Sequence, residues 1–187
     1  MNANRDGMKA GRGLGVCVTA VWFASMGLVF SAATWAATPS DARRPWTGEV
    51  TYVTDGDTLW VRPEAGSSPR KLRLDGIDAP EICQAYGVAA REALMQRVLH
   101  RQVSISTRAT DDYQRLLVTV WLDGEDLGGW MVAQGHAWSY RYRRNAGPYA
   151  TEEKTARRAS RGLFADSEAE RPRDFRQRHG SCHTPQH

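Results

Sequence analysis

The amino-acid sequence predicts an α+β fold: a five-stranded OB-type β-barrel with about three helices. Three observations predict it. Apolar and polar residues alternate with period 2 in short segments up to Leu74, and again between Val103 and Leu122. A single helical pattern, from Gly87 to His100, separates the two groups. Turn residues punctuate the segments, with Asp55-Gly56-Asp57 and Gly76 as the sharpest stops. Three strands, a helix and two more strands is the order of an OB-type barrel, an architecture that binds nucleic acids or sugars on one face and its loops.

The chain has 187 residues and a net charge of +4. Arg5, Lys9 and Arg12 give it a positive start, and Leu14 to Ala37 contains no charged residue. Small residues crowd the exit, Ser31-Ala32-Ala33-Thr34-Trp35-Ala36-Ala37. This pattern reads as a secretory signal peptide over residues 1–36, cleaved after Ala36. The competing reading is an uncleaved membrane anchor, because about 20 apolar residues span a bilayer. Cleavage leads to a periplasmic or secreted protein without stable membrane association, and it leaves 22 basic against 20 acidic residues. A charge of +2 is a weak field, so bulk charge does not argue for nucleic-acid binding. The remaining length, about 150 residues, suits one domain with an adequate core, and the chain is read as a monomer.

Residues 37–45 are a polar linker containing Pro39, and the domain is read over 46–165. Val50 and Tyr52 alternate on one side of the Asp-Gly turn, and Leu59 and Val61 on the other, which predicts a hairpin. Pro63 to Pro69 is a loop, and Leu72 and Leu74 begin a third strand. Ala90, Leu94, Val98 and Leu99 recur at helical spacing. Val103–Ser106 and Leu116–Leu122 are strands joined by a turn at Asp111-Asp112. Leu127 to Ala137 reads as a helix stopped by glycine. Thr151 to Arg161 reads as another, with Glu152 and Glu153 in its first turn and Arg157, Arg158 and Arg161 near its end. Residues 166–187 form a polar tail with little pattern. Cys17 lies in the apolar run, so cleavage leaves Cys83 and Cys182. An even pair in an exported chain predicts a disulfide, against the alternative of two unrelated thiols.

The chemistry concentrates between Asp55 and Glu81. If the two ends of this span meet, Asp57 and Asp78 form a hard-oxygen pocket suited to Ca²⁺ or Mg²⁺. Glu81, just past Pro80, stands where it can orient or deprotonate a water. Arg73 and Arg115 offer planar forks that match phosphate oxygens. Asp55 reads as a turn residue. An isolated Asp-Gly-Asp is more often a hairpin turn than a metal site; the second acidic cluster and the arginine before it shift that balance. Further on, Trp138, Tyr140, Tyr142 and Tyr149 interleave with Arg141, Arg143 and Arg144. That pattern serves base stacking with phosphate contact, or equally a buried aromatic cluster between solvated arginines.

Val53-Thr54-Asp55-Gly56-Asp57-Thr58, then Arg73-Leu74-Asp75-Gly76-Ile77-Asp78-Ala79-Pro80-Glu81, then Asp112-Tyr113-Gln114-Arg115 together resemble the staphylococcal nuclease family. The likeness runs from about Trp46 to Phe164. It implies an exported, Ca²⁺-dependent endonuclease acting on DNA and/or RNA. It implies calcium ligands at Asp57, Asp78 and the Ala79 carbonyl, a catalytic Glu81, and phosphate-binding Arg73 and Arg115. Tyr113 and Tyr140 are implied as substrate contacts. Two alternatives stand beside it: a non-catalytic nucleic-acid-binding barrel, and an interaction module whose acids hold a structural Ca²⁺.

The export reading has a direct check. N-terminal sequencing of protein from the producing cell should begin near Ala37. Intact protein starting at Met1 in a membrane fraction would favour the anchor.

Overall fold

The structure, a computed structural model, describes residues 44–63, 66–141 and 145–182. The segment read as a signal peptide or anchor, most of the linker, and Tyr142, Arg143 and Arg144 lie outside the described residues.

Strands β1 (Trp46–Val53), β2 (Thr58–Pro63) and β3 (Arg70–Leu74) form an antiparallel meander. A short strand β4 (Ile77–Asp78) and helix α1 (Gly87–Val98) lead to β5 (Gln102–Thr110) and β6 (Leu116–Leu122). Antiparallel pairings of β1 with β5 and β5 with β6 carry the sheet around, and β6 closes it by running parallel to β3. The result is the expected five-stranded barrel, in order β3-β2-β1-β5-β6. A short β7 (Glu125–Asp126) extends the edge at β6 and leads into α2 (Leu127–Ala133). Helix α3 (Ala150–Arg158) follows β8 (Trp138–Ser139), which pairs with β4 in a ribbon outside the barrel.

Inward residues of the strands fill the core: Val50, Val53, Leu59, Val61, Leu72, Leu74, Val103, Ile105, Val118, Val120 and Leu122 are all buried. Ala90, Leu94 and Val98 are the buried stripe of α1, as the spacing predicts. Tyr52 departs from the alternation. It was read with Val50 as one face, but it is half exposed while Val53 is buried. The pairing of β1 with β2 slips between Val50 and Tyr52, and the extra residue reverses which side chains point inward. Helix α2 also ends earlier than its apolar pattern suggests. Gly135 takes a positive φ of 76°, and a side chain there would lie 2.2 Å from the Arg161 carbonyl oxygen.

The tail holds a fourth helix, α4 (Pro172–His179). Its start has Pro172 in the first turn with Asp174, and its end carries Arg176, Arg178 and His179. Pro172 is its single buried residue, so no apolar period announces it in the sequence. The Cys83–Cys182 disulfide ties the segment after α4 to the loop before α1, across a sequence separation of 99. Gln84 adds a second tie, its side-chain amide donating to the Glu170 carbonyl at 2.7 Å.

The ribbon strand β8 is anchored from α3. Glu153 is buried, and its Oε2 accepts the Ser139 N–H at 3.0 Å. Its Oε1 accepts from Arg141 and Arg157, both at 2.9 Å. That anchor fixes β8, and through the ribbon it fixes β4 and Asp78.

Closing a loop of about a hundred residues stabilises by up to ~4–5 kcal/mol in the chain-entropy account. Denaturant unfolding of oxidised protein and of a Cys83→Ser/Cys182→Ser variant should therefore differ by a large part of that amount. Equal stabilities, or free thiols at both positions on peptide mapping, would contradict the bridge.

Candidate active site

The first acidic turn is built by its own side chains. Asp55 Oδ1 accepts the Asp57 N–H at 3.0 Å, and the Thr54 N–H donates across the turn to the Thr58 carbonyl at 2.9 Å. Gly56 lies so close to the second acidic segment that a Cβ would sit 2.7 Å from that of Ala79 and 3.0 Å from that of Ala90. Only glycine lets the turn approach this far. The two halves of the span therefore meet, and the Ala79 N–H donates to Asp57 Oδ2 at 3.2 Å.

The second segment is fixed on both sides. Asp78 belongs to β4 and pairs with Trp138. Beyond Pro80, the Glu81 N–H donates to the Gln84 side chain at 3.2 Å, and the Gln84 N–H returns a bond to the Glu81 carbonyl at 2.8 Å. A side chain at Gly87 would come within 1.9 Å of that carbonyl, so α1 can start directly beneath Glu81 only with glycine there.

Arg73 lies between the aspartates. Its Nη1 donates to Asp57 Oδ1 at 2.8 Å, and its Nη2 to Asp78 Oδ1 at 3.3 Å and to the Ile77 carbonyl at 3.5 Å. Asp57 and Asp78 are buried, 3 % and 5 % exposed. Burial opposes ionisation of Asp57, but Arg73, the Ala79 N–H and the Thr58 hydroxyl outweigh it and hold the group below the usual carboxylate range. For Asp78 the balance reverses: burial and the charge of Asp57 raise it, against Arg176 and Arg73. Asp55 is pushed up to about 8, first by burial and then by the charge of Asp57. The neighbouring carboxylates raise the pKa of Arg73 in spite of its burial.

Asp55, Asp57 and Glu81 open into a cleft of about 680 Å³, whereas Asp78 lies behind it and faces a neighbouring pocket beside Trp138 and Asp174. Asp57, Arg73, Ala79 and Glu81 line the cleft, and so do Tyr113, Arg115 and Tyr140. Arg115 is set by its neighbour Asp111, which accepts its Nε at 2.8 Å, its Nη2 at 2.7 Å and its backbone N–H at 2.9 Å. The guanidinium also stacks over Tyr113, 5.2 Å from the ring centre, and Tyr113 itself is largely exposed. Tyr140 is exposed at the rim, its N–H held by the Gly76 carbonyl at 2.8 Å. Of the other interleaved aromatics, Trp138 packs edge-on against Phe164, and Tyr149 is half-buried with its hydroxyl donating to Asp126.

One member of the site was not foreseen. Arg176 of α4 reaches in from the tail, 98 residues from Asp78, and donates to Asp78 at 3.2–3.3 Å and to Glu81 Oε1 at 2.9 Å. The polar sequence of α4 hides it, and the cysteine pair is the one signal that places the tail near Glu81.

These residues fit a hard divalent cation. The donors are oxygens only, and four carboxylates (Asp55, Asp57, Asp78, Glu81) face two guanidiniums, Arg73 and Arg176. With Asp55 holding its proton at neutral pH, the other three carboxylates leave one negative charge over the two guanidiniums for a cation to balance. Among the described residues no group of three or more His, Cys, Asp and Glu side chains is arranged for a metal, so backbone oxygen and water would complete the coordination.

Residues 71–166 match the family model described as staphylococcal nuclease homologue. A protein from Escherichia coli named ParB is 39 % identical over 140 residues, which cover 69 % of this chain and 78 % of that one. A micrococcal nuclease of Shigella flexneri is 34 % identical over 140 residues, 69 % of this chain and 79 % of its own. An uncharacterized endonuclease of Haemophilus influenzae is 33 % identical over 135 residues, 72 % of this chain and 75 % of its own. With its closed barrel, the two acidic turns brought together beneath the cleft, and these likenesses, the chain belongs to the staphylococcal nuclease family.

Proposed function

We propose that this protein is an exported nuclease that hydrolyses phosphodiester bonds of DNA and/or RNA with Ca²⁺ as its cofactor. Its family and the nuclease and endonuclease names of its relatives support endonucleolytic phosphodiester hydrolysis. The observation that carries the reading is the meeting of Asp57 and Asp78 across Arg73, beside a cleft that Asp57, Arg73, Glu81 and Arg115 line. The disulfide supports export, because oxidising compartments are where such bonds persist. No helix among the described residues is long and apolar enough to cross a membrane.

Asp57, Asp78 and the Ala79 carbonyl would hold the cation, which when bound supplies charge neutralisation at the phosphate and polarises it toward attack. Glu81 aligns a water and takes its proton as the new bond to phosphorus forms. The ester bond on the far side breaks, and the leaving oxygen gains a proton from solvent. Arg115, its Nε and Nη2 held by Asp111, stabilises charge on the phosphate oxygens through the fork geometry that lysine lacks. Arg73 keeps the two aspartates together and favours the ionised form of Asp57. Tyr113 and Tyr140, exposed at the rim, meet the sugar-phosphate chain or stack on bases.

Cleavage of single-stranded DNA and of RNA should require Ca²⁺ and stop in excess EDTA, and Asp57→Ala should lose activity with a native circular-dichroism spectrum but a stability lowered by about 3–5 kcal/mol. Undiminished cleavage in chelator would sink the cofactor assignment. Glu81→Gln should lower kcat on the order of 10²–10⁴-fold with KM little changed. A near-normal kcat would remove Glu81 from the role of base.

A further inference from the structure

We propose that Arg176 is a built-in stand-in for the cation, which neutralises Asp78 and Glu81 when no divalent ion is bound and competes with that ion for Asp78. The C-terminal helix then sets the metal affinity of the site. This inference rests on the cation reading above and goes beyond it, because it assigns a function to a residue outside the segment matched by the family model, residues 71–166.

The first support is the hydrogen bonding of Asp78. Arg176 Nη1 donates to its Oδ1 at 3.2 Å, and Nη2 donates to Oδ1 at 3.2 Å and to Oδ2 at 3.3 Å. Arg73 adds a contact to Oδ1 at 3.3 Å. Three of these four contacts crowd Oδ1 and one falls on Oδ2, so Arg176 covers both oxygens and only Oδ2 keeps a lone-pair site open. A divalent cation reaching Asp78 through Oδ2 meets the Arg176 Nη2 that lies 3.3 Å from that oxygen, so ion and guanidinium compete for it and Arg176 gives way when the ion binds. Arg73 cannot yield as readily, because Asp57 and the Ile77 carbonyl also hold it.

The second support is that α4 is delivered to the site by ties that do not involve the acids. The Cys83–Cys182 bond holds the segment after the helix, and the Gln84 amide bonded to the Glu170 carbonyl holds the segment before it. Arg178 adds an ion pair to Glu170. Pinned at both ends, the helix keeps the guanidinium beside Asp78 and Glu81 with little entropy left to lose. The third is charge: a fixed guanidinium beside the carboxylates repels an incoming cation, and the effect is large where water is sparse.

Calorimetric titration of the oxidised protein with calcium chloride tests this without any turnover measurement. Arg176→Gln should bind Ca²⁺ at least about tenfold more tightly than the parent, the scale set by losing charge-assisted bonds that compete for Asp78. Arg176→Lys, which keeps the charge but loses the fork, should fall between the two. The calcium-induced rise in Tm should be larger in Arg176→Gln than in the parent. Equal or weaker affinity in Arg176→Gln, with the disulfide intact and a native circular-dichroism spectrum, would overturn the proposal. Asp78→Asn separates this failure from that of the cation reading: if it abolishes calcium binding in both backgrounds, the cation reading stands whatever Arg176 does. Absence of calcium binding in parent and variant alike, with cleavage that survives EDTA, would overturn both.

Discussion

The guanidinium of Arg73 lies between two buried carboxylates, and much of the molecule depends on that arrangement. Arg73 belongs to β3, where it pairs with Thr58 on one side and Leu117 on the other. It therefore sits on the seam where the barrel closes. The Leu74 N–H donates to the Asp57 carbonyl at 2.8 Å, so the seam and the first acidic turn are also joined through the backbone. Two like charges this deeply buried would repel strongly across a few ångströms. Removing one member of such a buried group costs about 3–5 kcal/mol, because it leaves an uncompensated charge behind. Barrel closure and assembly of the site are in this sense one event.

Arg73 does not balance the site alone. Asp55 holds its proton up to about 8, as expected where burial and a neighbouring carboxylate both resist a further negative charge. Arg176 answers the same excess from the opposite side. It arrives on a helix whose position is decided by a disulfide and by Gln84. The loop from Glu81 to Gly87 thus carries three functions within one turn: the carboxylate proposed as base, the cysteine that holds the tail, and the amide that holds α4. The proposed cation site, organised in this way, keeps its shape without an ion, since two arginines already occupy part of the charge balance.

The barrel was legible because its signals are local. Alternation named the strands, Asp55-Gly56 and Gly76 named the turns, and Ala90, Leu94 and Val98 named the buried face of α1. Asp57, Asp78 and Arg73 were legible as a group because their spacing around turns leaves few ways to arrange them. Tyr52 was misread, since a bulge adds one residue to a strand without changing its composition, and one residue reverses the faces. The role of Asp111 in setting Arg115 was not legible because two adjacent acids stand at that turn and no pattern tells which one faces Arg115. Arg176 was out of reach of any pattern. Its helix buries little, its partners are nearly a hundred residues away, and only the pairing of Cys83 with Cys182 hinted that the tail returns to Glu81.

In the proposed function Asp57 and Asp78 share one divalent cation in the arrangement that Arg73 enforces. A crystal structure of the oxidised protein grown with Ca²⁺ measures this directly. One ion should be bonded to oxygens of both aspartates at ~2.3–2.6 Å, with Arg73 still bound to Asp57 and the Arg176 guanidinium withdrawn from Asp78. An ion bound elsewhere, or an Asp78 that keeps all its bonds to Arg176 at saturating calcium, would contradict it.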